Sequence, residues 1–352
     1  MRSDLNQTMR DHPLYDDWWR VRTARERLGA ITIPVYASGI WSKGHLQGAL
    51  DGFPHVSGPV KLRLSRAENA SVAQMEYASE DFHCRVMLPF YDRWLKGMTT
   101  DWDARPPVEY GVRESGETRA ATAWPPEQVR YRDWFLSPAK ADAVSSLNDG
   151  SLVIDPSEKA EVGYIYPDPG WVLGNVGFGA GGPKDGFDPV MRMLTFMTPT
   201  LDQEYFFVGP IALELHLSSS NLDTDVFVRL VDQPPSEPGR APTGKLVSAG
   251  WLRASHRALD PVGTPAEPLH LHDRRAPLEP GVPVRLDIAL AATAWRLASG
   301  HRVRLEIANT DSSLTVPINT HLYPPRAMGE DHVHMGGHHQ SRLRLPVLDE
   351  RA

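Results

Sequence analysis

The chain has a single cysteine, Cys84, among its 352 residues. That excludes an intramolecular disulfide and a thiolate metal cluster, and it suits a reducing cytoplasm. No apolar run is long enough to span a bilayer, and the opening residues, MRSDLNQTMRDHP, lack the apolar stretch of a signal peptide. The sequence therefore predicts a soluble, cytoplasmic protein with no membrane partner. Positive charge is also short: 37 Lys and Arg face 44 Asp and Glu, for a formal net charge of -7. With no basic stripe interleaved with aromatics, nucleic-acid binding is not expected. There is no internal repeat.

What is present is ordinary globular composition, 41% hydrophobic and 23% charged, with room for two domains. The clearest pattern lies between Val190 and Gln233, where Ile211, Leu213, Leu215 and Leu217 alternate with Ala212, Glu214, His216 and Ser218. That period of two predicts a half-buried antiparallel strand. Residues 225–231 carry apolar side chains on both faces and predict a central strand. Alternation recurs in Val284, Leu286, Ile288 and Leu290, in Val303, Leu305 and Ile307 with Arg302, Arg304 and Glu306 opposite, and in Leu343, Leu345 and Val347. Many short strands without interleaved helices predict a mainly β protein, with two antiparallel sheets face to face in a jelly-roll sandwich.

The first hundred residues differ. A short helix is expected before Gly29, then a strand at ITIPVYASG, a short helix in GHLQGALDGF and a strand at VKLRLS. Met87, Phe90, Tyr91, Trp94 and Leu95 fall on one face of a helix that Gly97 closes, with Asp92 and Lys96 as an exposed i,i+4 pair. Pro106 and Pro107 end helical structure. The expected domains are 1–105 and 106–352, with VEYGVRE, YRDWFLS and SLVIDP as the opening strands of the second. The Gly- and Pro-rich run around GFGAGG reads as a surface excursion; it lacks the flanking elements and Lys-Ser/Thr of a phosphate loop.

From LTFMTPTLDQEYFFVG through GWLRASHR and TAWRLASGHRVRLEIANTD to SRLRLPV, the chain resembles the C-terminal domain of the X-prolyl dipeptidyl-peptidase and cocaine-esterase group, which also contains alpha-amino-acid ester hydrolases. HPLYDDWWR, IPVYASGIW and FYDRWLKG resemble the end of that group's α/β-hydrolase domain. The resemblance implies an α/β-hydrolase remnant followed by the jelly roll, serine-dependent ester or amide hydrolysis by the family, and no cofactor. It also places the family's nucleophile upstream of Met1, since in α/β-hydrolases the serine comes first in chain order. No G-x-S-x-G elbow occurs in the sequence.

The family's acid follows a tryptophan by two positions, where this chain has Lys43, and its histidine position falls on Asn69. Lysine cannot accept an imidazole N–H as a carboxylate does, and asparagine cannot shuttle a proton near neutral pH. The catalytic set is thus expected to be incomplete and the chain inactive alone. Ser42 beside Lys43 is not expected to form a catalytic pair, because neighbours on an extended segment diverge. His83 and Cys84 are not expected to form a dyad, with Cys84 a buried structural residue. Trp18, Trp19, Trp41 and Trp94 are expected in the core. His332, His334, His338 and His339 have metal-like spacing but lie where the resemblance implies no metal; solvated or packing histidines are expected, with metal binding as the alternative. An incomplete α/β strip leaves an open sheet edge, so the expected partner is a complementary N-terminal hydrolase half or a second copy, unless the aromatic helix docks on the β domain. The competing function is a non-catalytic, galactose-binding-like module for a glycan or a protein.

Overall fold

The computed structural model describes residues 5–41, 43–67, 70–156, 158–166, 193–235, 244–309 and 328–349. The GFGAGG run lies outside them. The chain opens with α1 (Leu5–Asp11) and α2 (Asp17–Arg20), the latter capped by the Asp16 carboxylate accepting from the Trp18 N–H. Then follow β1 (Val35–Gly39), α3 (Lys43–Gly52), β2 (Val60–Leu64), α4 (Ala70–Tyr77), α5 (Glu80–Phe82) and α6 (Leu88–Leu95). β1 and β2 are parallel, as a crossover helix requires. β3 (Val108–Gly111) and β4 (Thr118–Ala121) complete a four-stranded sheet in the order β1-β2-β3-β4. VEYGVRE therefore extends the first sheet: Leu62 pairs with Val108 in parallel register.

The remaining strands are β5 (Val129–Lys140), β6 (Gly150–Val153), β7 (Ala160–Tyr166), β8 (Leu194–Met197), β9 (Tyr205–Ser219), β10 (Asp225–Gln233), β11 (Lys245–Arg253), β12 (Val284–Leu297), β13 (Arg302–Ala308), β14 (Gly329–Met335) and β15 (Arg342–Leu348). The protein is mainly β, as its alternation predicts. Two separate face-to-face sheets do not form. Pairing runs β12-β11-β10-β13-β8-β6-β5-β15-β9 and then closes, because β9 also pairs with β12. The result is a closed nine-stranded ring rather than a jelly roll, with β14 and then β7 added along the edge of β9 beyond β15. Closure leaves no free edge in the ring.

The ring is filled by the residues the alternation marks: Ile211, Leu213, Leu215, Leu217, Leu286, Ile288, Leu290, Leu305, Ile307, Leu343 and Leu345 lie in one buried cluster. A second core joins the small sheet to the outside of the ring. Leu46 and Leu50 of α3, Leu62, Leu64, Val108 and Tyr110 meet Phe206, Val208, Ala292 and Ala294 there. Each leucine buried in this seam contributes about 1.5–3 kcal/mol. Docking thus runs through α3 and the small sheet, not through the aromatic helix. On α6, Phe90 packs edge-on against Trp102 at 5.0 Å between ring centres, while Tyr91 and Leu95 are exposed. Gly97 ends it with φ +69, and Lys96 Nζ donates to Asp92 Oδ1 at 2.7 Å. Of the four tryptophans expected inside, Trp41 alone is fully buried, its Nε1 donating to the Gly111 carbonyl at 2.9 Å; Trp18, Trp19 and Trp94 are half-buried. Cys84 is exposed, a correction to its expected burial, because the π-helical turn of residues 83–87 carries it on the outer side.

Candidate functional site

In parallel α/β sheets reactive groups gather where strands end at their carboxyl side. Beyond β1, Trp41 enters the core and Lys43 is the first residue of α3. Asn69 lies outside the described residues. Beyond β2 stands a polar network: Ser65 Oγ donates to Glu76, Arg63 Nη2 donates to Glu76 Oε1 at 2.6 Å, and Arg63 Nη1 reaches Glu109 Oε2 at 3.3 Å. Burial pushes the Glu76 carboxyl up, but the hydrogen bonds from Arg63 and Ser65 outweigh it and hold the group below its ordinary value. An ionised carboxylate so held is a weak base, and no histidine enters the network among the described residues. Ser65 therefore has no relay of the kind that activates a serine. Nearby, burial raises the Tyr36 phenol well above its usual range, so it stays protonated. Neither Glu76 nor Arg63 was marked by the sequence, since neither belongs to a motif.

A broad concavity lies elsewhere. A cleft of about 1100 Å³ lies between the outer face of the ring and a strap of residues 254–276. The strap folds back on itself through Leu271 N to Ala258 O at 3.0 Å and Asp260 N to Leu269 O at 2.8 Å. It also ties the two parts of the molecule: Tyr15 N donates to His272 O at 2.8 Å, and Gln47 Nε2 donates to Glu267 Oε1 at 3.1 Å. The cleft floor includes Ala249, Gly250 and Ala289. Gly250 is required, since a Cβ there would lie 2.1 Å from the Ala289 carbonyl oxygen.

Three histidines line this cleft. His256 Nδ1 and His272 Nδ1 are 3.1 Å apart, and the rings of His270 and His272 are centred 5.7 Å apart. Desolvation, then the neighbouring His272, lowers His270 to about 4; desolvation likewise lowers His256 and His272. All three are neutral at pH 7. In the unfolded chain His270 binds a proton near pH 6.5, whereas in the folded state it does so only near 4. Its contribution to stability is therefore complete above the higher value and is lost as pH falls through this window. After allowance for partial solvent screening, the loss is about 2 kcal/mol. Urea unfolding at pH 7.0 and pH 4.5 should show it, and His270→Gln should flatten the difference; an unchanged pH slope in that variant would remove His270 as its source. All three histidines belong to the strap itself, within residues 256–272. Only the spacing of His270 and His272 was a visible signal.

The histidines singled out by spacing lie elsewhere again. His334 points outward from β14, its Nε2 2.8 Å from Ser218 Oγ and its Nδ1 3.4 Å from Glu161 Oε2. His332 lies 3.5 Å from Glu330 and 4.0 Å from Glu161. The ring of His339 is centred 5.3 Å from that of His216 and 5.7 Å from that of His334, and His338 is exposed on the turn. The structure thus brings His332, His334 and His339 together with His216 and Glu161, two residues that the sequence did not mark. Among the described residues no group of three or more His, Cys, Asp or Glu side chains could, as placed, hold a metal ion.

The chain was compared with known proteins. It is 26% identical to the cocaine esterase of Rhodococcus sp. (strain MB1 Bresler) over 365 aligned positions, covering 96% of this chain and 60% of that protein. A CocE/NonD family hydrolase from Staphylococcus aureus superposes with a TM-score of 0.76 at 22% identity, covering 98% of this chain and 59% of that one. An aminopeptidase from the marine sediment archaeon Thaumarchaeota archaeon superposes with a TM-score of 0.73 at 17% identity, covering 98% of this chain and 60% of that one. At those identities the superpositions show a shared fold. The chain spans about three fifths of the length of these relatives. Residues 100–344 match the X-Pro dipeptidyl-peptidase C-terminal non-catalytic domain. The chain belongs to that family, and it resembles the C-terminal portion of a CocE/NonD-like X-Pro peptidase.

Proposed function

We propose that the four-stranded sheet β1–β4 and its helices are the closing strip of an α/β-hydrolase domain and that this chain serves serine-dependent ester or amide hydrolysis only together with a nucleophile-bearing portion. The observation that carries this reading is the parallel β1–β2 pair, beyond which Lys43 opens α3 and Ser65, Glu76 and Arg63 form a network that no imidazole enters among the described residues, whereas acyl transfer needs a carboxylate and an imidazole together. Two features support a missing neighbour. β1 pairs only with β2 among the described residues, and Val72, Met75, Leu88, Tyr91 and Leu95 leave apolar side chains exposed on α4 and α6, Met75 by 76% and Leu95 by 77%. Apolar patches of this kind mark surfaces that a partner covers.

The test exposes the purified chain to a fluorophosphonate probe and a chromogenic acyl ester, with adducts mapped by mass spectrometry. The expected outcome is no labelled serine and no turnover above buffer. A labelled Ser38 or Ser65 accompanied by ester turnover would overturn the proposal. The non-catalytic alternative is favoured by the cleft beneath the strap, which has the volume of a small-molecule site. Saturable binding of a glycan there, abolished by filling the floor with Ala289→Trp, would move the assignment to that reading.

A further inference from the structure

We propose that the outer face of β7, β14 and β9 is a divalent transition-metal site of the zinc type, with His216, His334, His339 and Glu161 as its ligands. This inference is independent of the proposed hydrolytic role. The three strands hold their contributions in register: His334 is the direct cross-strand partner of Glu161 on one side and of His216 on the other. Directly opposed residues on one face of an antiparallel pair are within side-chain reach. Val333 and Met335 turn into the core, which commits His332 and His334 to the outside. The fourth group arrives from the turn after β14. Gly336 and Gly337 have φ of +67° and +58°, a left-handed pair that reverses the chain and brings the His339 ring over the row.

The donor atoms suit a cation. His216 Nδ1 is buried without a hydrogen-bond partner, a donor atom left open on the row. With Nε2 of His334 held by Ser218, its Nδ1 faces the Glu161 carboxylate, an arrangement that a shared cation satisfies. Ser218 thus stands where the outer hydrogen-bond partner of a ligating histidine normally stands. On a tetrahedral ion with Zn–N bonds of about 2.0–2.1 Å, two imidazole ring centres lie about 5 Å apart. The separations of 5.3 Å and 5.7 Å to His339 are close to that, so small torsional adjustments complete the shell. Glu161 is 61% exposed. Gly163 also leaves room: a Cβ there would be 2.9 Å from His332 Nδ1. Around the site, Lys159 and Arg285 are offset by Glu214 and Asp287. A bound ion would staple the two strands lying outside the closed ring onto β9.

The test titrates the chelator-treated full chain with zinc chloride by isothermal titration calorimetry and with cobalt(II) by visible absorption. The expected result is one zinc ion per chain and the intense visible bands of four-coordinate cobalt. His216→Gln and Glu161→Gln should each weaken zinc binding by at least about 10-fold, Ser218→Ala by about 10- to 100-fold, and His338→Gln not at all. Circular dichroism confirms that each variant is folded; if His216→Gln fails this check, exposed Glu161→Gln still decides. No binding near one equivalent overturns the proposal. So does binding that survives His216→Gln and Glu161→Gln but is lost in His338→Gln, which identifies an adventitious ion only.

Discussion

Trp295→Ala should lower the free energy of unfolding by about 3–5 kcal/mol, read as a shift of the urea midpoint by circular dichroism. Trp295 is 1% exposed and is the largest fully buried side chain of the molecule's described residues. It sits on the half of β12 where both faces are covered: Trp295 and Leu297 enter the ring core, while Ala292 and Ala294 face the small sheet. The polar end matters as well. Trp295 Nε1 donates to Asp232 Oδ2 at 3.1 Å, and the other oxygen of this buried carboxylate faces His301 Nδ1 at 2.6 Å. Over the indole face lies the Arg113 guanidinium, 4.6 Å from the ring centre, and the Arg113 backbone is bonded to β12 on both sides, to Ala294 O at 2.9 Å and from Arg296 N at 3.0 Å. Removing the ring opens a cavity and also loosens the seam between the two parts. Trp295→Phe separates the effects, since it keeps most of the volume and deletes the N–H; about 1–2 kcal/mol is expected for the donor lost by Asp232. A Trp295→Ala variant within 1 kcal/mol of the parent, by the same assay, would refute this view of the junction.

Much of the ring was legible because a period of two reports burial directly. Leu213, Leu215, Leu217, Ile288, Leu305 and Leu343 were assigned to the core by alternation, and all have 0% exposure. The closure of the ring was not legible. It depends on β9 pairing with β12 along nearly their whole lengths, a long-range choice that no local pattern encodes. The bend that permits it sits at a bulge between Leu290 and Thr293, opposite Gly209, whose φ of +136° an ordinary residue would not adopt. The small sheet was read as ending at the Pro-Pro pair, yet proline restricts only its own neighbourhood, and Val108–Gly111 pairs onward with β2. As for the site, Lys43 and Asn69 stand out only against a family pattern, through what they are not. Glu76, Glu161 and His216 were invisible because each is isolated in sequence and gains its meaning from a strand or turn brought alongside, whereas of the strap histidines the spacing of His270 and His272 was the one local signal.

Glu306→Ala should cost about 3–5 kcal/mol, and the reason also exposes a weakness of strand alternation. The pattern on β13 puts Arg304 and Glu306 opposite Val303, Leu305 and Ile307, hence toward water. Both are buried instead, with side-chain exposures of 8% and 1%. Glu306 lies directly across from Arg229 on β10 and accepts from it, while Arg304 Nε donates to Glu306 Oε1 at 2.8 Å and Arg304 Nη1 donates to Gln233. One carboxylate thus balances two guanidinium groups, and deleting it leaves Arg304 buried and facing a like charge. Arg304→Met in the parent should also destabilise, but by less, because Glu306 keeps Arg229. The double variant Arg304→Met with Glu306→Leu should recover most of the loss, since apolar groups of similar volume need no partner. High salt discriminates further: a buried pair is screened far less than an exposed one, so the Glu306→Ala deficit should persist in 1 M sodium chloride. A deficit that vanishes in salt would mean that water reaches the pair and that alternation on β13 was a true guide to its outer face.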